Sequence, residues 1–191
     1  MTATRIKEAT FELVAKKGYE GTTLAEIAKL VGIKKPSIYA HFSSKEEIFI
    51  TVLEEEVNTF FDYIDHMEID IQNEPIEKIF MELLKKGMDY FYRNPIKKGF
   101  WRNVLFCACC MLKDAIKVSI LPLKEKIYYK LFHIIKEKID SGEIEEQSPE
   151  DLIYSFESVM HGNFTMLLYD KFDHEKLEKS CQFYWRGLRK N

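Results

Sequence analysis

The sequence predicts an all-α protein of about nine helices, and three observations predict it. Apolar residues recur at three- and four-residue spacing along nearly the whole chain, the period of a helix with one buried face. Gly and Pro are few, 8 and 5, and mark plausible boundaries. No stretch alternates apolar and polar residues between turn signals, as a half-buried strand would.

The first helix is expected over residues 2–17, with Ile6, Ala9, Leu13 and Val14 on its buried face. Gly18 stops it. The second starts at Thr23, whose hydroxyl can take a first-turn amide while Glu26 completes a capping box. Leu24, Ile27, Ala28 and Val31 form its buried face, and Gly32 breaks it. Pro36 suits the first turn of a brief third helix, residues 35–41. Ser44 and Glu47 make another capping box and open a fourth helix to about residue 66. The polar stretch 68–74 ends at Pro75, where a fifth helix begins and runs to about residue 93. Asn94-Pro95 marks the next boundary, and a sixth helix covers about 96–113. A seventh reaches about residue 141, with Pro122 kinking or splitting it, and Gly142 ends it. Ser148-Pro149 opens the eighth, to about 170, and Asp173 caps a ninth, to about 188.

A chain of 191 residues suits one large or two small domains and can bury a core without staples. Its 46% hydrophobic and 31% charged residues are ordinary for a globular protein. The longest unbroken apolar run, Val104 to Leu112, is far short of the roughly 20 residues a membrane span needs. A soluble, cytoplasmic protein with no membrane association is expected. The cysteines agree: Cys107, Cys109 and Cys110 crowd into that run rather than being spread as a disulfide scaffold would spread them. The net charge is −3, yet residues 1–45 carry eight basic side chains against four acidic ones. A basic head on an acidic body implies that only the head meets a polyanion.

Within residues 22–47 two short helices are joined by a tight turn at Gly32, the arrangement of a DNA-reading helix-turn-helix. Ile27, Ala28, Val31, Ile33 and Ile38 should be buried where the helices cross, leaving the outer face of the second free to enter a major groove. Lys34 and Lys35 supply charge at the groove edge, Ser37 can address a base edge or phosphate, Tyr39 can donate its hydroxyl to a phosphate, and His41 can do either. Thr23 and Lys45 sit at helix N-termini, where amides and the helix dipole favour a phosphate. The seven candidate DNA contacts are therefore Thr23, Lys34, Lys35, Ser37, Tyr39, His41 and Lys45.

This stretch resembles the DNA-binding domain of the TetR (tetracycline-repressor-like) family. The matching features are the first helix ending in Gly18-Tyr19, then Thr22-Thr23, Ile27-Ala28, Gly32-Ile33, Ile38-Tyr39, His41-Phe42 and Lys45-Glu46. The resemblance implies an all-α homodimer, a palindromic operator and ligand-driven release from DNA. Two departures, Lys34-Lys35-Pro36 at the start of the recognition helix and Ala40 within it, leave the operator sequence open. The expected organisation is a three-helix DNA-binding domain, residues 1–47, and a helical bundle, residues 48–191, for effector binding and dimerisation.

In the bundle, Phe80, Met88, Tyr92, Phe100, Trp101, Phe106, Phe132, Phe156, Met160 and Phe164 recur at helical spacing. Such stripes are commonly core, yet so many rings and methionines can also enclose a cavity for a small hydrophobic or aromatic effector. Cys110 and His161 join that candidate pocket. The apolar stripes Leu152, Phe156, Val159, Leu167 and Leu177, Cys181, Tyr184, Leu188 are candidates for a four-helix dimer interface; the alternative is that they pack only within the chain. Cys107, Cys109 and Cys110 read first as buried thiols and second as a redox sensor on the same scaffold. No Gly-rich phosphate loop, nucleophile elbow or His-Glu-x-x-His run occurs, so neither an enzyme nor a metal or cofactor is expected. A helical binding or enzyme domain that ignores DNA is the competing class.

Overall fold

The computed structural model describes residues 2–66, 73–106, 112–169 and 171–188, of which 187 and 188 are described by backbone alone. The described residues form nine α-helices and no strand: α1 (Thr2–Lys17), α2 (Leu24–Val31), α3 (Lys35–Ile38), α4 (Lys45–Asp65), α5 (Ile76–Tyr92), α6 (Pro95–Phe106), α7 (Lys113–Asp140), α8 (Pro149–Leu168) and α9 (His174–Leu188). The helix ends follow local chemistry. Gly18, Gly32 and Gly142 close their helices with φ near +76°, a left-handed conformation that costs glycine little. Asn94 Oδ1 accepts the amides of Ile96 and Lys97, Ser148 accepts from Asp151, and Asp173 accepts from Glu175 and Lys176. At α4 the capping box is shared between two serines. Ser44 accepts the Glu47 amide, and the Glu47 carboxylate reaches back to Ser43 rather than Ser44.

Two elements differ from the sequence reading. The third helix ends at Ile38, not residue 41, because the Tyr39 and His41 amides bond three residues back, to Pro36 and Ile38, tightening the chain into a turn. Of the two outcomes expected at Pro122, it does not split α7; it lies at an exposed position, where solvent can satisfy the carbonyl its ring leaves without a donor.

The chain packs as two units. The first comprises residues 1–62 and 93–123 and so contains α1, α2, α3, α6, most of α4 and the start of α7. The boundary expected after residue 47 falls inside the first turn of α4. The core of this unit is Ile6, Val14, Ile27, Ala28, Val31, Ile38, Phe49, Leu53 and Phe100, all buried. Phe100 lies 4.7 Å from Phe11 and 6.2 Å from Phe49, ring centre to ring centre, so α1, α4 and α6 meet on aromatic surface.

The second unit comprises residues 63–92 and 124–191. Phe80 packs 4.3 Å from Phe156 and 5.4 Å from Trp185, joining α5, α8 and α9. Lys138, buried near the end of α7, pairs with Glu143 at 2.9 Å and donates to the Glu74 carbonyl at 2.7 Å. Glu143 also accepts the Ile76 amide at 2.7 Å, so one charged knot ties the start of α5 to the end of α7 and satisfies the amine that burial would otherwise penalise. Among the described residues no helix is long and apolar enough to cross a membrane.

Phe100 has no exposed surface and bridges three helices. Phe100→Ala is expected to lower unfolding free energy by about 3–5 kcal/mol, read by denaturant unfolding; a loss under about 1 kcal/mol would mean that this ring is not the centre of the unit.

Candidate nucleic-acid interface

The amino-terminal helices build a small rigid head. α1 ends at Gly18, whose amide bonds Val14 O at 2.9 Å. Thr22 is buried and its hydroxyl donates to Gly18 O at 2.8 Å, folding the turn back onto α1. Thr23 then caps α2 with both arms of a capping box. Ile27, Ala28 and Val31 face inward. Gly32 makes the turn; a side chain there would meet nothing within 4 Å, so its positive φ, not lack of room, is what requires glycine. Pro36 lies in the first turn of α3, and Ile38, with 0% of its surface exposed, anchors that helix.

What remains outside is the predicted reading face. Lys34, Lys35, Ser37 and His41 are exposed, and Tyr39 keeps 53% of its surface in solvent. Two ammonium groups, two hydroxyls and an imidazole thus project from one short stretch whose apolar residue points the other way. Such a surface can donate to phosphates and to acceptors on base edges.

Thr23 and Lys45 are held differently. The Thr23 hydroxyl and amide both donate to Glu26, and Glu26 is ion-paired with Lys17. That pairing, first, and the Thr23 hydroxyl, second, hold the Glu26 carboxyl down at about 2. Lys45 Nζ donates to the carbonyls of Tyr19 at 3.0 Å and Thr22 at 3.1 Å and lies 3.9 Å from the centre of the Tyr19 ring. It clasps the α1–α2 turn rather than projecting outward.

Sequence reasoning missed two residues that position this face. Arg5, on α1, donates to Val31 O at 2.7 Å, placing a cation at the C-terminus of α2, where the helix dipole favours it. Nothing local to Arg5 names its partner 26 residues away. Asn103 on α6 donates to Val14 O, Ala15 O and Gly99 O. A polar amide four residues after Gly99, on the face of α6 that also carries Phe100, was the available signal.

The residues singled out for an effector fall in both units. In the first, Phe100 and Trp101 are buried and Phe106 is exposed. In the second, Phe80, Met88 and Phe156 are buried, Phe132, Met160 and Phe164 are half-buried, and His161 is exposed. Phe164 packs on Phe91 at 4.8 Å, Phe132 on Tyr128 at 6.2 Å, and the exposed Tyr92 on Phe172 and His174. A cavity of about 340 Å³ in the second unit is lined instead by residues that include Pro75, Ile76, Glu143, Ile144 and Trp185. Of the residues proposed as an interface, Leu152, Phe156, Leu167, Leu177 and Cys181 are buried within the chain. Val159 and Tyr184 are half-buried, and the Tyr184 hydroxyl donates to Leu152 O at 3.2 Å. Cys107, Cys109, Cys110 and the Leu188 side chain lie outside the described residues. Burial, first, pushes the Cys181 thiol up to about 11, which makes it a poor thiolate source.

An anchored, exposed cationic helix set behind a capped helix and a glycine turn defines a helix-turn-helix protein. Residues 6–52 match the family model "Bacterial regulatory proteins, tetR family". The chain is 44% identical over 69 residues to the "Biofilm operon icaADBC HTH-type negative transcriptional regulator IcaR" of Staphylococcus aureus strain Newman, a match covering 36% of this chain and 35% of the relative. It is 43% identical over 60 residues to the protein of that name in Staphylococcus epidermidis, 31% of this chain and 32% of the relative. The matched stretch thus spans about a third of these relatives' length. The whole fold resembles the transcriptional regulator FadR from Bacillus subtilis in complex with stearoyl-CoA, with TM-score 0.70, 19% identity and coverage of 97% and 99% of the two chains. It also resembles a regulator from Saccharomonospora viridis in complex with choline, with TM-score 0.78, 18% identity and coverage of 96% and 95%. Residues 6–52 thus match the amino-terminal domain of the TetR family, and the chain as a whole shares the fold of these solved regulators.

Because the folded-state Glu26 carboxyl lies below its unfolded value, its contribution to the head is full above the ordinary carboxylate range and is lost as pH falls through about 2. A carbon-detected NMR titration should show Glu26 titrating near that pH. Thr23→Ala should raise its midpoint toward 4.5 and cost about 1 kcal/mol of stability. A wild-type midpoint at the ordinary value would dissolve the Lys17–Glu26–Thr23 network.

Proposed function

We propose that the chain is a DNA-binding transcriptional regulator, a homodimeric repressor that leaves a palindromic operator when a small molecule binds. One observation carries the reading: Lys34, Lys35, Ser37, Tyr39 and His41 are exposed together along α3 and the turn that follows it, while Ile38 between them is wholly buried. Lys34 and Lys35 neutralise phosphates at the groove edge, Tyr39 and His41 reach the backbone, and Ser37 addresses a base edge. Thr23 offers its place at the α2 N-terminus, while Lys45 serves by holding the turn before it. The basic head and acidic remainder of the chain favour this orientation on a polyanion. The family and the relatives named as negative regulators support it, and the cytoplasm is where such an operator would be met. The reading is of a binding protein, with no catalytic step and no metal or cofactor.

Residues 1–47 carry the DNA contacts and residues 48–191 the sensing and pairing functions. Exposed apolar side chains mark the pairing face: Tyr154 at 75%, Met166 at 51% and Phe183 at 67%. Tyr154, Ser158, His161 and Thr165 follow one another at three- and four-residue steps along α8, and Phe183 lies on α9. The partner is a second copy, its α8 and α9 completing a four-helix bundle; the buried stripes Leu152–Phe156 and Leu177–Cys181 support that face from behind. The effector is a small hydrophobic or aromatic molecule taken among the rings of the second unit, which include Phe80, Met88, Phe132, Phe156, Met160 and Phe164. The stearoyl-CoA and choline bound by structural neighbours support a sensing role without naming this chain's ligand.

Selection from random duplex DNA should recover a palindromic site, and its affinity should fall steeply with salt. Lys34→Ala with Lys35→Ala should flatten the slope of log affinity against log salt by about 1.8, the loss of two phosphate contacts; an unchanged slope would remove these lysines from the interface, and recovery of no duplex would remove the function. Tyr154→Glu with Phe183→Glu should give a monomer by sedimentation, whereas a persistent dimer would place the partner elsewhere.

A further inference from the structure

We propose that Asn103 is a positioning residue that fixes the DNA-reading head on α6 and so sets how strictly the spacing of operator half-sites is read; the inference rests on the dimeric DNA-binding reading above. The last turn of α1 ends at carbonyls with room for further donors. Val14 O already takes the Gly18 amide; Asn103 Nδ2 adds a second donor to it at 2.9 Å and reaches Ala15 O at 3.1 Å, while also donating to Gly99 O of its own helix at 3.0 Å. Two amide hydrogens are shared among three carbonyls, and the reversed amide would set oxygen against oxygen, so the partners dictate its orientation. Its Oδ1 faces Gly18, 3.5 Å from where a side chain would begin.

Gly99, one turn earlier on the same face of α6, makes the approach possible. A Cβ there would lie 2.7 Å from Ala15 O, inside any real contact. Gly99 therefore lets the backbones touch, and Asn103 bonds them. The rings of Phe11 and Phe100 add area at this junction, but apolar contact is non-directional and lets one helix roll on another. Bonds to two successive carbonyls oppose that roll.

α1 carries the reading face with it, since α1 packs on α2 and Arg5 binds Val31 O. The angle held at Asn103 is thus passed to α3. A two-fold dimer must set its recognition helices about 34–36 Å apart, and one base pair moves a half-site by about 3.4 Å and turns it around the duplex. A head that can roll on α6 follows that shift more readily than a head latched to it.

The test uses the full-length dimer and the operator recovered by selection, with versions whose half-sites are one base pair closer or farther apart. The wild type should lose about tenfold or more in affinity at either altered spacing. Asn103→Ala, and Asn103→Asp, which keeps the shape and loses the donor, should bring that ratio below about threefold. Thermal unfolding and sedimentation establish that each variant is folded and dimeric. Equal weakening at all three spacings would mean a merely structural role and overturn the proposal. So would a wild type that binds its operator without regard to spacing, which leaves the DNA-binding reading intact. A wild type that binds no duplex overturns that reading itself.

Discussion

A helix of four residues cannot hold itself together. One turn fixes several backbone torsions for a single hydrogen bond, so α3, Lys35–Ile38, exists because something else holds it. That something is the burial of Ile38 against a head whose other members, Ile27, Ala28 and Val31, are buried as well. The exposed cationic face depends on this one apolar anchor. Without it, Lys34, Lys35 and Tyr39 would be side chains on a loop, each losing its freedom separately on meeting a partner. With it, that ordering is completed in folding and the face is presented ready-made.

The anchor is backed by polar contacts at the points where helices end. Arg5 meets the last carbonyl of α2, Lys45 meets two carbonyls of the α1–α2 turn, and Asn103 meets the last turn of α1. In each case a side chain from another segment satisfies carbonyls that a helix or turn leaves exposed. The head is small, and these clasps add directed bonds to its apolar core. Lys45 illustrates the economy of the arrangement: an ammonium at a helix N-terminus, read from sequence as a phosphate contact, is turned inward over Tyr19 to hold the strand of chain that carries Thr23.

Much of this was legible because the signals are local. Capping boxes, left-handed glycines and three- and four-residue periodicity are written within a few positions of where they act, and the ends of α1, α2, α5, α8 and α9 follow from them closely. The exposed face of α3 was legible for the same reason. What was not legible depends on partners far along the chain. Arg5 and Asn103 look like any polar residues until α2 and α1 arrive beside them. The apolar stripes on α8 and α9 could be read as a surface or as a core, because periodicity marks a buried face and says nothing of whether the same chain or another buries it. Leu152 and Leu177 are covered from within, while Tyr154 and Phe183 stand exposed. Aromatic abundance was similarly ambiguous: Phe100, equally suited to a ligand, is engaged with Phe11 and Phe49.

The central claim is that the surface around Ile38 is where this protein meets duplex DNA. A titration of isotope-labelled protein with its selected operator, followed by backbone amide resonances, tests it most directly. The account requires the largest shifts at residues 34–41 and the amide end of α2, with the amides of α5 and α9 little moved. Shifts concentrated in the second unit with residues 34–41 unchanged would contradict it.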